Sequence, residues 1–200
     1  MKKRRILLFI AAALITSCSV YQAFANVSRL KFKIASVADF KIVNIPIENK
    51  RSLNDFHSVD ALKLSAGFIS GKLPAEFTIK IDAKNPNDGT GGYPSTDIAL
   101  EAFPYTLYID DKETISGDIA SSVIVPGIGE STVISIRIGL DLIQFFKDKG
   151  YDQIINLALA LGGKNGAASR IKLKAQPVIG TPLGNIKYPG EITIVDYQFN

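Results

Sequence analysis

The chain has 200 residues, 46% hydrophobic and 21% charged, with one histidine and one cysteine. That apolar content excludes a wholly disordered protein, which could not bury enough surface to offset the entropy of ordering, and suits one domain with a sizeable core. Four of the 23 Lys and Arg residues are Lys2, Lys3, Arg4 and Arg5, which leaves 19 basic against 19 acidic residues and removes the support for nucleic-acid binding.

The basic start is followed by an apolar run from Ile6 to Ile15 and then Thr16-Ser17-Cys18. A basic segment, a short apolar segment and small residues mark an export signal, and the run falls far short of the roughly 20 residues that a membrane-spanning helix needs. Leu14-Ile15-Thr16-Ser17-Cys18 resembles the bacterial lipobox, in which the cysteine is acylated and becomes the new amino terminus. A lone cysteine cannot form an internal disulfide, so acylation explains Cys18 better than stapling does. The expected organisation is a lipoprotein signal peptide over 1–17, a lipidated Cys18 with a tether over 18–28, and a single domain over 29–200. No acidic cluster follows Cys18. By resemblance to outer-membrane lipoproteins, this points to the periplasmic face of that membrane.

Arg29 to Ile34 alternates, as do Phe40, Ile42 and their polar neighbours, which predicts two opening strands. Between Ser52 and Gly71 the pattern is mixed. Phe56, Val59 and Leu62 fit a helix, whereas Leu62, Leu64 and Ala66 fit a strand. From Phe77 to Ala83 the alternation is unbroken, with Phe77, Ile79, Ile81 and Ala83 apolar, the period of a half-buried strand. Asn85-Pro86-Asn87 ends it, because proline cannot donate to a ladder and the flanking amides can bond nearby backbone. Gly89, Gly91 and Gly92 extend the turn, and the chain returns through Ile98 and Leu100 to Tyr105-Thr106-Leu107-Tyr108-Ile109. Pro104 lies near a change of phase that reads as a bulge. Asp110-Asp111-Lys112 turns the chain towards Ile115 and Gly117. Ile119 to Val125 reads as a strand, Pro126-Gly127-Ile128-Gly129 as a turn, and Thr132 to Ile138 as another strand.

The run FTIKIDAKNPND, followed by YTLYIDDKETISGD and VIVPGIGESTVISIRI, resembles the late embryogenesis abundant type 2 family, also called the water-stress and hypersensitive-response domain. The likeness covers about Phe77 to Ile138, and its motif positions here are Asn85, Pro86, Asn87, Tyr105 and Gly117. The resemblance implies a small fibronectin/immunoglobulin-like β-sandwich, no catalytic residues, and a part in protection against desiccation and related stress.

Beyond the resemblance, Asp141 and Gln144 have capping-box spacing, Leu142, Phe145 and Phe146 have helical spacing, and Gly150 sits where a left-handed cap would end a short helix at Lys149. Ile154 to Leu161 is apolar nearly all round and reads as a helix, although Leu157, Leu159 and Leu161 also suit a strand. Arg170 to Ala175 alternates, a Pro/Gly-rich loop follows, and Glu191 to Phe199 supplies a last strand. The fold class expected is mainly β, a sandwich with one or two short helices.

The residues offer little for catalysis. His57 is the single histidine, so no histidine-based triad or multi-histidine metal site can be built from one chain. Asp82, Asp88, Asp97, Asp110 and Asp111 are scattered over a strand and turns and lack calcium-loop spacing. Gly127-Ile128-Gly129 joins two strands and opens no helix, unlike a phosphate-binding turn. Tyr93, Tyr105, Tyr108 and Tyr197 suit strands as readily as a ligand platform. The expectation is a protein with no catalytic residues, metal or cofactor, held to a membrane by its lipid anchor. It would be either stress-protective or an accessory subunit docking an envelope protein through a sandwich edge or the Ile154–Leu161 segment.

Overall fold

In the computed structural model the described residues are 25, 28–91, 94–166, 170–181 and 184–196. The signal segment, Cys18, Gly92, Tyr93, Tyr197 and the end of the last predicted strand lie outside them. No helix among the described residues is long and apolar enough to cross a membrane.

The first sheet is antiparallel and contains β1 (Lys31–Ile42), β2 (Ile45–Pro46), β3 (Pro74–Lys84) and β8 (Ser131–Asp141), in the order β2-β1-β3-β8. β3 is the strand that its alternation predicts, with Phe77, Ile79, Ile81 and Ala83 buried. It pairs with β8 residue for residue from Pro74–Asp141 to Lys84–Ser131, with no slip. The two predicted opening strands are one. β1 runs through both, and its pairing with β3 shifts between Ile34 and Ser36 and between Ala38 and Lys41, where Asp39 takes a positive φ of 56°. The extra residues change which side chains face inward, and that phase change looks like a gap in the sequence.

The remaining strands form the facing layer. β4 (Ile98–Ala102) pairs with β10 (Val178–Thr181) and β7 (Val123–Val125), and β10 pairs with β11 (Gly184–Lys187). β5 (Tyr105–Ile109) pairs with β9 (Ile171–Ala175) and β6 (Lys112–Gly117), and β9 pairs with β12 (Ile192–Ile194). The orders β11-β10-β4-β7 and β12-β9-β5-β6 match strand for strand. The layer is therefore four long strands, each interrupted at the same level, by Phe103-Pro104, 118–122, Gln176-Pro177 and 188–191. Two prolines at the two central breaks remove ladder donors, and Gln176 N still donates to Pro104 O across the crease at 3.1 Å. Pro104 thus marks the crease in a whole layer, whereas a bulge in one strand was expected. The predicted strand over Ile119 to Val125 shrinks to β7, because its first residues belong to the crease.

Among the described residues three helices of five residues or more accompany the sheets. The segment left between helix and strand is α1 (Ser58–Ile69), preceded by a 3-10 turn at Leu53–Asp55. Its inward residue Leu64 is fully buried, while Val59, Leu62 and Ile69 are 64%, 71% and 85% exposed, which is why neither period stood out. α2 (Leu142–Phe146) begins at Asp141, whose carboxylate accepts from Ile143 N at 2.9 Å and from Leu73 N at 3.1 Å. Gln144 does not complete a box there. Gly150 is not a left-handed cap, since its φ is −74°, and it opens α3 (Tyr151–Gly162), with its N–H donating to Gln153 Oε1 at 3.0 Å. α3 packs against β1 and buries Ile154, Ile155, Leu157, Ala158, Leu159 and Leu161. The segment expected as a docking face is core. The loop predicted before the last strand contains β10 and β11.

The two layers enclose one hydrophobic cluster, in which Phe40 stacks on Phe77 at 4.7 Å and Phe32 lies tilted against Phe103 at 5.3 Å. The chain is a mainly β sandwich.

Candidate functional site

The motif residues fall into two groups. The first is a knot of polar groups where β3 ends. Asn85 and Asn87 are both fully buried. Burying an amide without partners costs on the order of 1–3 kcal/mol per orphaned group, so the partners decide its role. Asn85 Nδ2 donates to Thr96 O at 2.8 Å and to Val125 O at 3.0 Å. Asn85 Oδ1 accepts from Asn87 N at 3.1 Å and from Asn87 Nδ2 at 2.9 Å. Four bonds use the full capacity of the amide.

The knot joins elements distant in sequence. Thr96 leads into β4, Val125 ends β7, and Asn87 O accepts from Thr96 N at 3.2 Å. Arg29 reaches in from the start of the domain, its guanidinium donating to Asn87 Oδ1 at 3.0 Å and to Pro86 O at 3.5 Å. On the far side Gly127 N donates to Asp97 Oδ1 at 2.9 Å, and Gly127 O accepts from Ser95 Oγ at 2.6 Å. A Cβ on Gly127 would stand 2.6 Å from Asn87 O and from both Thr96 N and Thr96 O. Only glycine leaves room for these backbones to meet.

The second group is Tyr105 and Gly117, paired across β5 and β6. The Tyr105 ring covers Gly117. Burial pushes the Tyr105 phenol up from its ordinary value, and the Asp118 carboxylate adds to the effect. Asp118 itself closes the crease, its Oδ1 accepting from Phe103 N at 2.5 Å and Ile119 N at 2.7 Å.

The remaining candidates do not converge. His57 is exposed at the start of α1 and makes no side-chain cap bond. Asp82 faces Lys33 at 3.9 Å, Asp110 pairs with Arg170 at 3.1 Å and Asp111 with Lys172 at 2.7 Å. The hydrogen bond and charge of Lys172 hold the Asp111 carboxyl below its usual range. Asp88 is held low by its bonds from Thr90 Oγ1 and N, at 2.6 and 3.0 Å. Among the described residues no three His, Cys, Asp or Glu side chains gather closely enough to hold a metal. Tyr108 donates to Glu113 Oε2 at 3.0 Å and lies beneath the ammonium groups of Lys172 and Lys174.

Grooves among the described residues open to the surface. One of about 570 Å³ runs beside the knot, lined by Ser28, Arg29, Leu30, Lys31, Pro86 and Tyr188. Another, about 260 Å³, lies over the Asp39 bulge between Lys41, Glu76, Thr78 and Arg137. Asp118 and Tyr188 carry no signal in the sequence, Arg29 reads there only as the start of a strand, and Gly127 only as part of a turn. Tyr188 donates to Ser28 O at 3.0 Å, which no local pattern announces across so long a separation.

No protein-family model matches the chain, and no curated protein matches it. Solved structures similar to it include a solution structure provisionally assigned as a late embryogenesis abundant protein, 16% identical, covering 96% of this chain and 88% of that one with a TM-score of 0.35. A protein from Arabidopsis thaliana is 14% identical over 84% of this chain and 83% of that one, with a TM-score of 0.37. A protein from Archaeoglobus fulgidus is 12% identical over 64% and 82%, with a TM-score of 0.35.

Proposed function

We propose that the chain is a lipid-anchored envelope protein whose β-sandwich protects its surroundings against water stress without catalysis. The observation that carries this reading is the Asn85 knot. The motif residues spend their hydrogen-bonding capacity on joining β3, β4, β7 and the start of the domain. A motif used in this way maintains a fold, and the working surface is then the set of hydrated outer faces, where Lys80, Arg137, Thr78 and Asp82 sit. The export signal and Cys18 support anchoring, at the periplasmic face of the outer membrane. Protection by such a surface is graded with concentration and has no turnover.

The test is drying and rehydration of vesicles bearing the full chain, with retention of a trapped dye as readout. An inert lipid-anchored β-sandwich of similar size and charge, at equal mass, is the control. Greater retention than the control is expected, and equal retention removes the protective reading.

A second reading, an accessory subunit that docks an envelope protein, is favoured by the aliphatic stripe of Val59, Leu62 and Ile69 on the exposed side of α1. A stoichiometric crosslinked partner, lost on Leu62→Lys, would establish it in place of the first.

A further inference from the structure

We propose that two copies of this chain associate through β8, edge to edge and antiparallel, to make one eight-stranded sheet. Folded proteins normally blunt the edges of their sheets, because an open row of N–H and C=O groups recruits another strand. Most edges here are blunted. β2 is two residues long and contains Pro46, β7 and β12 have three residues each, and β11 has four. β6 carries Lys112 and Glu113 and pairs with a register shift. The part of β1 beyond β2 is bulged, and Ile34 N donates there to Val195 O at 2.9 Å.

β8 has none of these devices apart from a single interior charge. It runs for 11 residues from Ser131 to Asp141, contains no proline, and follows β3 throughout without a bulge. Its one charge before the terminal Asp141 is Arg137, and Val133 on its outer face is 52% exposed. Among the described residues no strand pairs with its second side.

The occupant follows from the symmetry of the strand. A contact about a twofold axis requires a self-complementary surface. Centred on Ile136, the strand STVISIRIGLD can pair with a reversed second copy of itself, isoleucine against isoleucine at its middle. Ile136 meets itself, Ile134 meets Ile138 and Thr132 meets Leu140 on the core side. On the outer side Ser135 meets Arg137, Val133 meets Gly139 and Ser131 meets Asp141. No like charges oppose each other, and every residue meets one on the same face, as antiparallel pairing demands.

The experiment is sedimentation velocity of the full chain in detergent micelles from about 1 to 100 µM, a range that brackets modest protein association. A concentration-dependent dimer is expected. Ser135→Arg sets a second guanidinium against Arg137 of the other copy, twice per dimer, and should weaken association at least about tenfold. Ser135→Arg combined with Arg137→Glu replaces that repulsion with opposite charges and should return the dissociation constant to within about threefold of the original or below it. Circular dichroism and thermal melting of each variant verify folding, and both substituted positions are exposed. A monomer at every concentration overturns the proposal. So does a folded Ser135→Arg variant that dimerises unchanged, or a folded double variant that fails to recover.

Discussion

The Tyr105 hydroxyl occupies the space that a side chain on Gly117 would need, 2.6 Å from the position of its Cβ, with the ring carbon Cζ at 2.9 Å. The pair is in register across the β5–β6 hairpin, and Tyr105 is only 7% exposed. Gly117→Ala should therefore push the ring outward and cost about 1–2 kcal/mol in urea unfolding. Spectroscopic titration gives an independent readout, because a more exposed Tyr105 phenol should ionise at lower pH than in the parent.

Gly127→Ala should cost more, about 3 kcal/mol or above, because its neighbours at 2.6 Å are the backbone atoms of Asn87 and Thr96, which cannot rotate away as a tyrosine can. The order of the two unfolding midpoints checks this. A Gly127→Ala protein as stable as Gly117→Ala would show that the Pro126–Gly129 turn yields easily.

Asn85→Ala should cost about 3 kcal/mol, since it strands Thr96 O and Val125 O and removes the acceptor of Asn87 N and Nδ2. Asn85→Asp is more informative. It turns an oxygen towards those two carbonyls, so its folded-state pKa should rise above the unfolded value of about 3.9. The deficit is then full above the folded pKa and relieved as pH falls through it. Melting temperatures of parent and variant should converge on acidification, and parallel curves would contradict the assigned amide orientation.

Asp88 has the opposite sign. Its carboxyl is held below 3.8 by Thr90, so its contribution is present above that value and is lost as pH falls through the lower folded one. Asp88→Asn keeps an acceptor for Thr90 and cannot titrate. Between about pH 5 and 2 its melting temperature should fall less steeply than the parent's.

Cys18→Ser tests the anchor. Membrane fractionation should find the variant in the soluble or unprocessed fraction, with the sandwich folded. A processed variant that still sediments with membranes would refute lipidation at this position.

Much of the sandwich was legible because β3 and β8 obey the simplest rule available, alternation over 11 residues with one face in the core. The rest was hidden for physical reasons. β10 and β11 lie among Pro177, Gly180 and Gly184, whose local preferences favour turns, and what makes them strands is the ladder offered by β4, distant in sequence. Gly150 looked like an ending because a glycine after a helical run usually is one, yet the next helix begins at once. Of the candidate site, Asn85 and Asn87 were visible as turn-formers. Arg29 was not, because its contact with Asn87 spans 58 residues.

The crease through the facing layer makes part of the domain permissive to lengthening. At 118–122 and 188–191 the outer strands detour around the level where the central ones break, and pairing resumes at Val123 with Leu100 and at Ile192 with Ala175. Extra residues inserted after Ile119 or after Gly190, beyond the bonds that hold Asp118 and Tyr188, would enlarge a loop without shifting any register. The cost would be loop closure alone, about 0.6 kcal/mol for each doubling of length. A reporter peptide or a second domain could be carried at either point while the Asn85 knot keeps its four bonds.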